Sequence, residues 1–313
     1  MDKIKQFLQT TSFSTYKLSL ASADASFRKY YRLSQGKKSY ILMDSSLERE
    51  SLTPFIDITY RLQSANIKVP HIYEKNIHNG FLILEDFGDK NLLDVLNSKN
   101  FKHYYTNAIE IIIEMQNSST QKLPLYDEDF LHFEMQLMQE WYIEGILDYT
   151  LSQEELLSLK KSLKKIVQVV LTQPQSLFVH RDFHSRNIML TPDNSLAIID
   201  YQDAMSGALT YDLVSLLKDC YIKFPRQDIE KLALLFRDKK GLNVDDKEFL
   251  KWFDFMGLQR HIKVLGIFSR LSLRDKKDDY LKDIPLVLEY ILESTPRYAE
   301  TQAIANILQK VNS

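Results

Sequence analysis

Apolar and polar positions alternate in short runs through the first part of the chain, then change to a spacing of three and four. TYKLSL at 15–20, FRKYYRL at 27–33, SYILM at 39–43 and FLILE at 81–85 have the two-residue rhythm and the β-branched and aromatic content of strands. One helix is expected among them. With Thr53 as its N-cap and Pro54 at its first position, Phe55, Ile58 and Leu62 share a face. Beyond Gly88 the pattern is helical. Its clearest instance opens at Ser152, where a capping box with Glu155 precedes a stripe of Leu156, Leu159, Leu163, Ile166, Val167 and Val170. A small sheet with one helix, followed by a mainly helical remainder, is an α+β pattern. It predicts a β-rich lobe over 1–87 and a larger helical lobe over 88–313, joined by a hinge near Glu85 to Asp89, with no repeat or Pro/Gly-rich linker between them.

The 313 residues suffice for two cores of ordinary size. A net charge of -2 and a pI near 6.4 exclude the broad basic face that nucleic acid or an anionic membrane demands. Cys220, the single cysteine, rules out an internal disulfide framework and a cysteine-built zinc site, and is read as a small buried hydrophobe in a reducing compartment. No apolar run approaches the ~18 residues of a membrane span, and MDKIKQFLQTTSF lacks the apolar core of a leader. The expectation is a cytoplasmic protein with no obligate protein partner, acting on small molecules.

What chemistry it performs is concentrated in FVHRDFHSRNIML, followed by LAIID. Asp182 is followed five residues on by Asn187, and thirteen further by Asp200 at the end of an apolar run that reads as a short buried strand. An Asp placed to accept a proton from an attacking hydroxyl, with an Asn and an Asp as hard oxygen ligands for Mg2+ bridging ATP phosphates, is the equipment of phosphoryl transfer. His-Arg-Asp-x-x-x-x-Asn is the catalytic-loop pattern of kinases.

These residues resemble the aminoglycoside phosphotransferase and choline kinase-like branch of the protein kinase fold. Within it, DASFRKYYRL, IIDYQDAMSGALTYDLVSLLKDCY and MGLQRHIKVLGIFSRLSLRDKKDDYLKDIP look like the bacterial anomeric amino-sugar kinase group. The resemblance spans 24–285 and implies ATP-dependent phosphorylation of the C1 hydroxyl of N-acetylmuramate or N-acetylglucosamine during recycling of cell-wall sugars. An aminoglycoside or amino alcohol kinase of the same fold is the first alternative; a catalytically dead binding module is the second. A protein kinase is disfavoured, because the chain has no Asp-Phe-Gly or Ala-Pro-Glu and only a short interval between Asp200 and Tyr211.

Asp182 is the expected base, and Asn187 and Asp200 the metal ligands. His180 and Arg181 are expected to support the loop. Asp212 is expected to cap a helix and tie that loop down. For the nucleotide, the hinge at Glu85, Asp86 and Phe87 is expected to read adenine. The turn from Ser22 to Arg28 contains no glycine, so Ser22, Ser26, Arg28 and Arg32 are the candidates for phosphate. The strand that usually presents a phosphate-pairing lysine places Met43 there, and the resemblance suggests an arginine of the preceding hairpin as its substitute. For the sugar the candidates are His184, Arg186, Asp203, Glu140, Gln259, Arg260, His261, Arg270 and Arg274, with Trp141 as a stacking surface. Arginine suits the lactyl carboxylate of N-acetylmuramate. The plain alternative for each is a solvated helix face or a packed core residue.

Overall fold

In the computed structural model of the chain, residues 2–22 and 28–312 are described. The chain divides into two compact units, one comprising Met1–Val95 with Arg186–Ala204 and the other Leu96–Ser185 with Met205–Ser313. The first unit thus takes back a stretch that a single boundary near Gly88 does not express.

The first unit is built on an antiparallel sheet of order β1-β2-β3-β5-β4, from β1 (Lys17–Ser22), β2 (Lys29–Gln35), β3 (Lys38–Asp44), β4 (Ile72–Asn76) and β5 (Phe81–Glu85). Helix α1 (Asp2–Gln9) sets Ile4, Phe7 and Leu8 against Leu33, Leu42, Phe81 and Ile83 of this sheet. Strand β4 was not expected. IYEKN is an edge strand paired with β5 alone; its exposed positions are Tyr73 and Lys75 and its half-buried ones Ile72, Glu74 and Asn76, so it lacks the apolar alternation of its neighbours. Helix α2 (Leu52–Ser64) begins one residue before Thr53, fed by a 3-10 turn over Arg49–Ser51, so Thr53 is helical and not the cap. Pro54 remains compatible because first-turn amides have no intrahelical acceptor. Phe55, Ile58 and Leu62 are buried together as their spacing predicts.

Met43 on β3 is fully buried and registers with Tyr30 and Leu82. The position where related strands carry a lysine is therefore apolar core in this sheet. A hairpin from Ile188–Leu190 and Leu196–Ile198 completes the unit, joined to its first segment by the amide of Leu92 on the carbonyl of Ile188 at 2.7 Å.

The second unit is mainly helical: α3 (Phe101–Met115), α4 (Glu128–Leu137), α5 (Gln153–Val170), α6 (Tyr211–Leu217), α7 (Arg226–Lys239), α8 (Asp246–Leu273), α9 (Ile284–Ser294) and α10 (Gln302–Val311). The capping box of α5 forms as read, with Ser152 and Glu155 bonded reciprocally. From α4 the chain continues into a π-helical stretch over Met138–Ile146, closed by the Leu147 amide on the Tyr142 carbonyl at 3.0 Å. This widened turn lies against α8 at Gly266, where an added Cβ would stand 2.3 Å from the Leu137 carbonyl carbon and 2.5 Å from the Met138 nitrogen. Only glycine permits so close an approach of backbone to helix. No helix among the described residues is long and apolar enough to cross a membrane.

Candidate active site

Strand Leu177–Val179, paired with Met205–Gly207, delivers the chain to His180, where regular structure ends and a tight loop begins. Arg181 takes a left-handed backbone, φ 77°, a conformation unusual for a side chain of this size. What holds it is Asp212, one residue into α6 and 1 % exposed, whose carboxylate accepts the amides of His180 at 2.7 Å and Arg181 at 3.0 Å. Burial pushes the Asp212 carboxyl up to about 6 against the pull of His180 and those amides. Ser185, at the far end of the loop, donates its amide to Asp219 at 2.8 Å.

Asp182 sits in this loop with 43 % of its side-chain surface open. Burial alone would raise its carboxyl, but Lys263, Arg260, His184 and Arg181 outweigh that and hold it at about 2. Two of these cations come from α8. Arg260 of α8, 2 % exposed, places Nη1 4.0 Å from the Asp182 carboxylate and 3.4 Å from the Arg181 carbonyl oxygen. Lys263, one turn on, bonds the Tyr211 hydroxyl at 2.9 Å and pairs with Glu134 of α4 at 3.2 Å. Glu134 also takes Arg181 at 2.8 Å and the Tyr126 hydroxyl. Burial would raise Glu134 too, and Lys263 and Arg181 bring it below the ordinary carboxylate range.

Neither Glu134 nor Lys263 was singled out in the sequence. The available signal was a charged residue inside an apolar run, FLHFEMQLM for one and HIKVLGIF for the other. The arrangement can keep an accessible carboxylate ionised on a loop fixed from beneath by hydrogen bonds and ion pairs.

In the first unit, Asn187 and Asp200 flank the Ile188–Ile198 hairpin at its open end, where the Asn187 amide meets the Asp200 carboxylate at 3.3 Å. Asp200 too is left-handed, φ 65°, and the next residue anchors it: Tyr201 is fully buried, stacked on Phe55 and bonded to Thr59 at 2.8 Å. Gln202 bridges Asp200 at 3.0 Å and Asp203 at 3.3 Å, which brings Asp203 beside the pair. No group of three or more His, Cys, Asp or Glu side chains poised for a metal occurs among the described residues. One carboxylate and one amide fit Mg2+ that arrives with phosphate oxygens and water completing its shell.

An apolar patch lies at the segment read as the hinge. Phe87 packs with Met189, Ala197 and Ile199, and Gly88, φ 88°, turns the chain just beyond it. Arg32, expected at the phosphates, grips this turn: it bonds both Asp86 carboxylate oxygens at 2.7 and 3.1 Å and both oxygens of Asp89 at 2.7 and 3.0 Å. Asp86 in turn accepts the Gly88 amide at 2.9 Å, so its side chain serves the turn, and the Glu85 amide is bonded to the His71 carbonyl at 2.9 Å. Arg28 is buried at the start of β2, while Ser26 and the side chain of Ser22 lie outside the described residues.

Of the candidate sugar residues, His184 is half-buried with its ring edge-on to Tyr221, and Arg186 is half-buried where the chain enters the first unit. Gln259 and His261 are enclosed. Gln259 bonds Glu134 at 3.3 Å; His261 bonds the Lys218 carbonyl at 2.9 Å and stacks on Tyr290. Arg270 is half-buried and Arg274 exposed, the latter held by Asp275 at 2.8 Å. Glu140 is exposed on the π-helical stretch and lines a groove of about 460 Å3 with His132, Gln136, Glu144, Lys160 and Lys164; half-buried Trp141 is not part of that lining.

Residues 17–249 match the model of the phosphotransferase enzyme family. The chain is 36 % identical over 294 residues to the N-acetylmuramate/N-acetylglucosamine kinase of Pseudomonas aeruginosa, covering 92 % of this chain and 86 % of that one. It is 34 % identical to the kinase of the same name from Neisseria meningitidis, covering 98 % and 94 %. Among solved structures, an aminoglycoside phosphotransferase in complex with gentamicin superposes with a TM-score of 0.66 at 14 % identity, over 93 % of this chain and 98 % of that one. The choline kinase of Streptococcus pneumoniae does so with 0.64 at 14 %, over the same shares of 93 % and 98 %. Those likenesses carry the fold, a kinase-like architecture with a sheet-based first part and a helical remainder. On the family match and the relatives together, the chain belongs to the phosphotransferase enzyme family.

Proposed function

We propose that the protein transfers the γ-phosphoryl group of ATP to the anomeric hydroxyl of N-acetylmuramate or N-acetylglucosamine. The observation that carries the chemistry is Asp182: a carboxylate with 43 % of its side-chain surface open, faced by the Arg260 guanidinium at 4.0 Å, on a loop whose amides Asp212 holds. Such a group is ionised at any working pH, and it orients the attacking hydroxyl and takes its proton late in the transfer. An anomeric hydroxyl is more acidic than an ordinary alcohol, so a weak base is enough. The choice of sugar is supported by relatives of that name aligned over nearly the whole chain.

Asn187 and Asp200 are the residues that would hold Mg2+, whose part when bound is to neutralise charge on the β- and γ-phosphates. The adenine would lie against Phe87, Met189, Ala197 and Ile199, with Arg32 fixing the hinge through Asp86 and Asp89. Arg28 remains the proposed cation for the phosphates.

The test is ATP consumption with each free sugar and with its 1-O-methyl glycoside, in which C1 carries no hydroxyl. Turnover of the free sugars and none of the glycosides is expected. Equal turnover of both would place the reaction at another hydroxyl, and turnover of aminoglycosides or amino alcohols alone would move the protein to that branch.

A further inference from the structure

Helix α8 is enclosed on almost every side: from Trp252 to Ser272 only Ile267, Arg270 and Leu271 are not buried. With 3.6 residues per turn, Arg260, Lys263, Ile267, Arg270 and Arg274 lie along one stripe. Its buried end holds the two cations that act on Asp182, and it passes through half-buried Arg270 to exposed Arg274. The face of α8 that serves the base is thus the face that opens outward two turns later, about 10 Å along the axis from Lys263.

The other cations on this stripe are already engaged. Arg260 bonds the Arg181 carbonyl at 3.4 Å and faces Asp182; Lys263 pairs with Glu134 at 3.2 Å; Arg274 holds both oxygens of Asp275 at 2.8 and 2.9 Å. Arg270 makes no side-chain hydrogen bond or ion pair among the described residues, and its Nε is enclosed without a partner. Asp275, the anion within its electrostatic reach, is the one Arg274 occupies.

Beside the stripe runs a row of rings. His184, two residues after the base, meets Tyr221 at 5.2 Å, Tyr221 meets Phe268 at 6.4 Å, and Phe268 meets Tyr280 at 5.2 Å. Tyr221 and Tyr280 are half-buried, so the row keeps aromatic surface for the apolar face of a sugar. An aromatic row starting at the base, with an uncommitted guanidinium two turns out, fits a sugar whose anionic substituent stands away from its reacting hydroxyl. N-acetylmuramate has that shape, with its lactyl carboxylate on the third ring carbon; N-acetylglucosamine lacks the carboxylate.

We infer that Arg270 is the specificity-determining residue of this enzyme, binding the substrate carboxylate through paired charge-assisted hydrogen bonds. The inference rests on the amino-sugar reading, and the experiment separates the two. kcat/KM is measured for N-acetylmuramate, its neutral methyl ester and N-acetylglucosamine, with wild type, Arg270→Ala and Arg270→Lys. Wild type should prefer the acid over its ester. Arg270→Ala should reduce that preference roughly 10- to 100-fold, the range of a lost hydrogen bond to a charged group, and Arg270→Lys should restore part of it. Because the readout is a ratio within each variant, general damage to the enzyme does not move it. An acid-to-ester ratio unchanged in Arg270→Ala overturns the inference while the amino-sugar reading stands, and so does wild type with no preference for the acid. Wild type inactive on all three compounds overturns both.

Discussion

At the scale of single residues, the loop that carries Asp182 is held by groups that the loop's own sequence does not contain. Asp212 accepts two loop amides, and with Asp212→Asn one of the two acceptor oxygens becomes a donor facing a donor. We predict a fall in kcat of about 10- to 100-fold, as expected for losing a hydrogen bond to a charged acceptor, with a far-ultraviolet spectrum like that of wild type. Glu134→Gln is predicted to act on stability instead. It leaves Lys263 and Arg181 without their buried counter-charge, a change that typically costs about 3–5 kcal/mol and is read from the urea midpoint. Asp182, Asn187 and Asp200 could be proposed from the sequence because their spacing along one segment is itself the signal. Glu134 and Lys263 could not, because they come from α4 and α8 and meet the loop only through the fold. Arg32 was expected at the phosphates; its pairing with Asp86, more than fifty residues away, was not legible.

At the scale of elements, α8 and the π-helical stretch depend on a contact without a side chain. Gly266→Ala would put a methyl 2.3 Å from the Leu137 carbonyl carbon, which is backbone and has little room to give. The expected loss is about 1–3 kcal/mol or more, typical of overpacking, measured as a lowered Tm. Ser152→Ala should cost about 1 kcal/mol by removing one half of the capping box. The capped start of α5 and the apolar faces of α2 and α5 follow from periodicity, which the sequence displays directly. The π-helical winding after α4 does not. It packs closely against α8 at Gly266, and nothing within MQEWYIEGI reads as other than a helical segment. Strand β4 escaped for a related reason, being an edge strand whose partner supplies its definition.

At the scale of the whole molecule, burying an uncharged histidine ties stability to pH. Burial first, then Lys218, pushes His261 down to about 3 in spite of its bond to the Lys218 carbonyl. Between that value and the ordinary histidine pKa near 6.5 the unfolded chain binds a proton at this residue that the folded chain does not, so the histidine's contribution to stability falls as pH drops through this window, opposed in part by Asp212, whose raised carboxyl acts in the other direction. The contribution is at most about 1.4 kcal/mol per pH unit; it should appear in denaturation midpoints between pH 7 and 4 and be reduced in His261→Gln. The α+β division was legible from the change of rhythm near Gly88. The return of 186–204 to the first unit was not, because that segment carries the catalytic pattern and reads as continuous with the loop before it.

Asp182 is the proposed base of a phosphoryl transfer to C1 of an amino sugar. The direct measurement is phosphorus NMR of the product formed from Mg-ATP and N-acetylmuramate by wild type and by Asp182→Asn. Wild type is expected to give a sugar 1-phosphate, and the variant a rate lower by about 10²- to 10⁴-fold, the range of general-base catalysis. A phosphate ester on any other hydroxyl, or a variant as fast as wild type, would contradict it.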